Sequence, residues 1–562
     1  MQSTRPFFWG LALASAFSAF AGKANDERVR EVRPPSLTKV EQYLVMEPLP
    51  DGRLIGLFVR TGANGPEAAA CYSNDGGRTW GAAETLCSLL KDLGGWGLHN
   101  ALVDAKGELH IIFTNDAHTS GKGLYEMRFD VYHVGSAHGR TQWTPPTLVR
   151  RGYNGSLLSV IELKSGRLIL PVCYLTPRVW SNRGKGFNAF SDMGRFSSGI
   201  VYSDDAGASW HQADREFKVP SPYIGADGMI EPIALQLKDG RVWLLIRTQL
   251  GRFFESFSPD GSVWSPPRPT AILSSDSPPS LTRLKDDRIV MLWNNSLRFC
   301  YAQGGRHVLH GAISDDEGRT WRGYREVVWN PEAGEAPPPN GDHGVSYTVP
   351  ALTPDGEIIT PVSLGGTAGV GLVRLQPAWL CEKSRACDFS TGLDGWAHFG
   401  TRGVECTSEP GSASGHALQL RKTNPDWPAA AVWNFPNGLT GRLTLRLKIN
   451  AGFLGARIGL TDHFSVPFEP EDARYNLFNL SLAPGEKASK RRGNIRPDVW
   501  HKLIFDWDCR KGQCRVSVDG QRLEILPLQR ATSGVNYLRI CSTADDTDTA
   551  GLLIQSVDVQ VQ

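Results

Sequence analysis

With 562 residues the chain is too long for one ordinary domain. Its 60 Lys plus Arg nearly cancel 58 Asp plus Glu, and no basic block stands out, which argues against a nucleic-acid partner. Helical periodicity is scarce, whereas 60 Gly and 17 Trp punctuate short β-branched and aromatic runs, a composition that predicts a mostly β chain.

In chain order, Arg5, the apolar run Phe7 to Phe20 and the A-x-A site Ala19-Phe20-Ala21 predict an export signal over residues 1–21. The expectation is a protein exported to the periplasm or beyond, with no transmembrane segment after cleavage. Residues 22–39 read as a linker. The ten cysteines suit an oxidising compartment. Cys509 and Cys514 bracket a turn that a disulfide would staple, and Cys381 and Cys387 would close a small loop between two domains. With no CxxC pair and no HExxH, neither a metal nor any other cofactor is expected.

Two interleaved repeats set the architecture. YSNDGGRTW (72–80), YSDDAGASW (202–210) and ISDDEGRTW (313–321) share one pattern, and FSPDGSVW (257–264) is the same unit one residue shorter. Each reads as a hairpin turn in which Asp accepts backbone N–H bonds, Gly supplies a positive φ and Trp packs beneath. The second series is LPDGRL, DAKGEL, LKSGRL, LKDGRV, LKDDRI and TPDGEI, each between apolar runs. Six such hairpins count six sheets, so a six-bladed β-propeller is predicted over 40–378. From 385 to 562 the boxes stop and strands such as LTLRLKI and KLIFDW alternate with polar turns, which predicts a β-sandwich of the jelly-roll or lectin-like kind. Trp396 and Trp427 are its candidate sugar contacts, with core packing the competing role.

One hairpin carries chemistry. In MIEPIALQLKDGRVWLLIRTQ (229–249) a fold about Asp239 sets Glu231 opposite Arg247 at the open end. A cross-strand ion pair of ~0.2–1 kcal/mol is the bland account, and half of an active site the functional one.

The boxes on six blades after an export signal resemble the sialidase superfamily of bacterial neuraminidase-like propellers. In that family a Glu opens one central strand and an Arg closes the next, as Glu231 and Arg247 do here. A further Arg precedes a strand leading into a box, and GGRHVLHGAISDDEGRTW supplies Arg306. A Tyr starts the last blade, and GVSYTVPALTPDGEI supplies Tyr347. The resemblance implies a secreted exo-glycosidase that cleaves a terminal acidic sugar, sialic acid or similar, from a glycan or glycoconjugate. Tyr347 is the implied nucleophile, Glu231 its activator, and Arg247 with Arg306 the clamp on the sugar carboxylate. The family's first-blade Arg has no counterpart in QYLVMEPLPDGRL, and its acid/base Asp none in LFVRTGANGPEAAACYS, which offers only Glu67. Candidate substitutes as proton donor or pocket carboxylate are Glu67, Asp227, Asp276, Asp342 and His343, with His99, Asn100 and Asn154 as further polar contacts. A uronate-directed polysaccharide lyase would use the same Tyr, His and Arg residues, and a non-catalytic glycan-binding propeller is the third reading.

Overall fold

The computed structural model describes residues 29–31, 45–91, 97–115, 129–176, 195–219, 227–297, 305–329, 344–365, 369–398, 401–408, 415–482 and 495–562. Apart from two short 3-10 helices, the regular elements among them are strands, so the all-β expectation is met. The export signal and Asp342 and His343 lie outside the described residues. No helix among the described residues is long and apolar enough to cross a membrane.

The first-to-second-strand turn recurs six times with one geometry. The backbone N–H of Leu49, Asp104, Leu163, Leu237, Leu284 and Thr353 each donates to the carbonyl four residues on, at 2.8–2.9 Å. The turn needs one left-handed residue; Gly fills it five times, and Asp287, with φ 71°, fills it in LKDDRI. The boxes behave alike. Asp75, Asp205 and Asp316 each accept the backbone N–H four residues on at 2.8 Å, and that residue's hydroxyl as well. These local devices turn the chain back on itself and produce six sheets of four or five strands, antiparallel but for one two-residue strand.

The innermost strands adjoin from sheet to sheet: Val45–Pro48 lies beside Leu98–Val103, Ile230–Gln236 beside Ser280–Arg283, and Ala351–Leu352 beside Val45–Pro48 again, while Leu168–Thr176, the second strand of the third sheet, lies against Ile230–Gln236. Leu157, Leu170 and Val172 pack with Ile112 and Val131 to join the second sheet to the third. The ring is that of a six-bladed propeller. Residues 22–39, expected as a linker, are not all linker: Val29–Glu31 pairs antiparallel with Gly369–Leu375 and completes the last sheet. An N-terminal strand on the C-terminal blade fastens the ring, because otherwise that blade would end on an open edge.

Beyond Cys381 an eight-stranded and a five-stranded sheet enclose one core. Thr440–Ile449 shows the alternation that makes it: Leu443, Leu445, Leu447 and Ile449 point inward and the residues between them do not. Trp396 is in this core, stacked on Trp433 with ring centroids 5.9 Å apart, so it is no sugar platform. Trp427 is half-buried under the Arg402 guanidinium.

The nine described cysteines are unbridged, so neither expected disulfide forms. Cys381 Sγ accepts from Arg288 at 3.3 Å, whereas Cys387 Sγ accepts from Trp396 at 3.5 Å, a different environment. Cys514 points into the sandwich core, while the Cys509 backbone is tied to Leu439.

Candidate active site

The hairpin of Glu231 and Arg247 does not keep the register its numbering suggests. Ile233 to Gln236 pair with Leu245 to Val242 as a fold about Asp239 requires, but the register then shifts, and Arg247 faces Ile230 instead of Glu231. Glu231 sits in the resulting bulge with φ 48°, left-handed backbone that a non-glycine residue adopts at a cost of ~1–3 kcal/mol. A bulge re-aims a side chain. Here it brings the carboxylate onto Arg247, whose Nη1 donates to Glu231 Oε2. Pro232, unable to donate to a ladder, is tolerated because this strand is the innermost of its sheet.

Arg247 has a second carboxylate partner. Its Nε and Nη2 both lie 2.8 Å from Asp276 Oδ1, and Gln249 Nε2 donates to Asp276 Oδ2 at 2.9 Å. Glu231 and Arg247 are each 6% exposed and Asp276 7%. Burial opposes the charge on Arg247, but Asp276 and Glu231 outweigh it and hold the guanidinium well above its ordinary range.

Tyr347 follows the short strand Val345–Ser346 and is likewise left-handed, with φ 60°. Its hydroxyl donates to Glu231 Oε1 at 3.0 Å, and Arg247 Nη1 donates to the phenol oxygen at 3.4 Å. The Arg306 guanidinium lies 5.2 Å from the Tyr347 ring centroid and donates to the Asp276 carbonyl at 3.1 Å. Burial, and then the Glu231 charge, push the phenol above its ordinary value, while Arg306 and Arg247 pull the other way. The group is therefore a neutral phenol hydrogen-bonded to a carboxylate, flanked by two guanidiniums.

Of the expected residues, Glu231, Arg247, Arg306, Tyr347 and Asp276 converge. Glu67 does not: it sits on the third strand of the first sheet, bonded to Arg60 and Thr85, each at 2.6 Å. Those two bonds, Thr85 first, keep it below the usual carboxylate range. Asp227 begins a two-residue strand beside Arg195 and Phe196, on the approach to Glu231. His99 bonds Thr114 at 2.9 Å, and burial lowers it to about 4. Asn100 and Asn154 donate to the backbone carbonyls of Leu157 and Phe129, 57 and 25 residues away, and so tie separate segments together instead of closing a hairpin.

Sequence reasoning missed three neighbours. Gln249 holds the far oxygen of Asp276, as above. Cys173 is buried against the Glu231 backbone, and burial pushes its thiol to about 12. Tyr153 packs on Phe129 and Phe196, and burial, with the Glu231 charge behind it, pushes its phenol up. None of the three has a motif around it; Gln249, two positions beyond Arg247 on the same face, carried the only usable signal.

Solved structures with similar coordinates include a Trypanosoma rangeli sialidase in complex with sialic acid, 15% identical over 92% of this chain and 90% of that one, TM-score 0.41. A Dyadobacter fermentans protein of unknown function is 16% identical over 62% of this chain and all of that one, TM-score 0.44. The Hadza microbial sialidase Hz136 is 16% identical over 60% of this chain and 66% of that one, TM-score 0.42. No curated protein matches the chain. The family model for the BNR repeat-like domain matches residues 96–362, a span that includes three of the four boxes and all of Glu231, Arg247, Asp276, Arg306 and Tyr347.

Proposed function

We propose that the protein is an exported, sialidase-like glycoside hydrolase that removes a terminal acidic sugar from glycans through a tyrosine nucleophile. The observation that carries this reading is the 3.0 Å bond from the Tyr347 hydroxyl to Glu231, with Arg306 alongside. An anomeric carbon that bears a carboxylate repels an anionic nucleophile, and a neutral phenol approaches it without that penalty. As the phenol oxygen bonds to the anomeric carbon, its proton passes to Glu231 and the aglycone oxygen departs. Water then attacks the anomeric carbon of this aryl glycoside and gives its proton to the group that had protonated the aglycone, while Glu231 returns its proton to the departing phenolate.

Arg306 meets the sugar carboxylate in this scheme. Arg247, committed to Glu231 and Asp276, instead keeps Glu231 aimed at the phenol. The leaving group takes its proton from Asp227, Asp342 or His343, because Asp276 is bonded to Arg247 and Gln249, and Glu67 to Arg60 and Thr85.

Release of fluorophore from an aryl sialoside tests the reading. The wild type turns it over, Glu231→Gln loses about 10²–10⁴-fold in kcat, and Tyr347→Phe loses at least as much. Undiminished turnover by Tyr347→Phe sinks the tyrosine mechanism. A wild type that is inert on sialosides but generates an unsaturated uronate absorbance is a lyase instead. Glycan binding without either reaction identifies a lectin-like propeller.

A further inference from the structure

We propose that the C-terminal sandwich is a positioning element of the propeller site, acting through Asn295; this rests on the reading of Tyr347 and Arg306 given above. Asn294, Asn295 and Ser296 follow the strand Ile289–Trp293 and are each 2% exposed or less. They grip three of the segments that carry the site, those of Asp276, Arg306 and Tyr347. Asn294 Nδ2 donates to the Val345 carbonyl at 2.8 Å, two residues before Tyr347. Its Oδ1 accepts from Ser277, and its carbonyl from the Ser275 N–H at 3.3 Å, on either side of Asp276. Ser296 Oγ donates to the Gly305 carbonyl at 2.7 Å, next to Arg306. The Val345 N–H closes the circuit on the Arg306 carbonyl at 2.9 Å.

The sandwich holds this hub directly. The Phe464 N–H donates to the Asn295 carbonyl at 2.7 Å, and Asn295 Nδ2 donates to the Asp462 carbonyl at 2.9 Å. The Phe464 ring stacks on His307, centroids 5.8 Å apart. This loop does not drift, because a buried charge cluster pins it. His463 lies 3.0 Å from Asp462 Oδ1 and 3.2 Å from Asp472 Oδ1, Arg530 donates to Asp462 at 2.9 Å, and Asp472 Oδ2 accepts the Val466 N–H at 2.7 Å. A rigid loop anchored in one module thus fixes the backbone on which the other module's nucleophile and guanidinium are mounted. Displacements well under the size of a bond matter there, since a misplacement of about 1 Å costs on the order of 10²-fold in rate.

The test is hydrogen–deuterium exchange on the full chain and its Asn295→Ala variant, with kcat and KM on the aryl sialoside measured in parallel. Exchange is expected to quicken about 10-fold or more in peptides covering 275–278, 305–308 and 344–348, while 109–115 in the second blade stays as in the wild type. The rate arm is expected to show kcat down about 10-fold and KM within about 3-fold. Unchanged exchange in those three peptides, or an equal rise throughout the propeller, overturns the proposal. If the wild type hydrolyses no sialoside, the functional reading fails, and the exchange pattern still decides the positioning claim. Should Asn295→Ala not fold, Phe464→Leu, which removes the ring that the same loop stacks on His307 beside Arg306, is read by the same criteria.

Discussion

Removing Asp276 separates a buried charge network from an ordinary surface pair. In the native site Arg247 answers Asp276 through two nitrogens at 2.8 Å and Glu231 through a third, all three residues being almost fully enclosed. Asp276→Ala deletes two charge-assisted bonds of ~1.5–3 kcal/mol each and leaves Arg247 with one carboxylate partner. It also removes the bond of 2.9 Å from Gln249 Nε2. The expected cost is ~3–5 kcal/mol, the range for breaking a buried pair by removing one member. Arg247→Met, which strands two carboxylates, should cost at least as much. The double variant removes the conflict that each single one creates, so its cost should fall short of the sum by ~2–3 kcal/mol. Native-state hydrogen exchange of the strand Val242–Arg247 reads these free energies locally, which suits a chain of two modules better than one global transition. A loss below about 1 kcal/mol for Asp276→Ala, or strict additivity in the double variant, would refute the network.

Gly228→Ala should disable the approach to Glu231. A Cβ there would meet the Phe196 carbonyl oxygen at 2.1 Å with φ 132°, so a loss of ~2–4 kcal/mol is expected in urea unfolding. In the second box, the hydroxyl and backbone N–H of Ser209 hold Asp205 down at about 2. A depressed folded value means stability present above the ordinary 3.8 and lost as pH falls toward about 2. Asp205→Asn should flatten that acid dependence, followed by tryptophan fluorescence. His463 runs the other way. Burial opposes its charge, but bonds to Asp462 and Asp472 overcome that and raise it above 6.5, with Arg530 on the Asp462 side and Arg539 beside Asp472 the opposing cations. A raised folded value means stability fully present below 6.5 and lost as pH rises through the folded value. Melting of the wild type should therefore fall with rising pH above neutrality more steeply than that of His463→Gln.

The sheets and their turns were legible because their causes are local. Each box is closed by bonds to a residue at most four positions away, and each of the six hairpins by one repeated backbone bond. Short-range chemistry of that kind is written in consecutive letters. The pairing of Glu231 with Arg247 was half legible: their proximity was correct, but the register shift that aims the carboxylate was not, since a bulge depends on what the strand packs against. The cysteines misled for the same reason. Spacing placed Cys381 near Cys387 along the chain, whereas packing gave one to Arg288 and the other to Trp396.

By itself, then, the sequence determined the β character, the six-fold beat and the order in which Glu231, Arg247, Arg306 and Tyr347 occur. Only the tertiary structure decided that Asp276 anchors Arg247, that Val29–Glu31 belongs to the last blade, and that Asn295 answers a loop 167 residues away. Those contacts exist because the ring closes and the sandwich docks on it. A contact whose two halves are brought together by closure leaves no periodicity in either half, so no local pattern announces it.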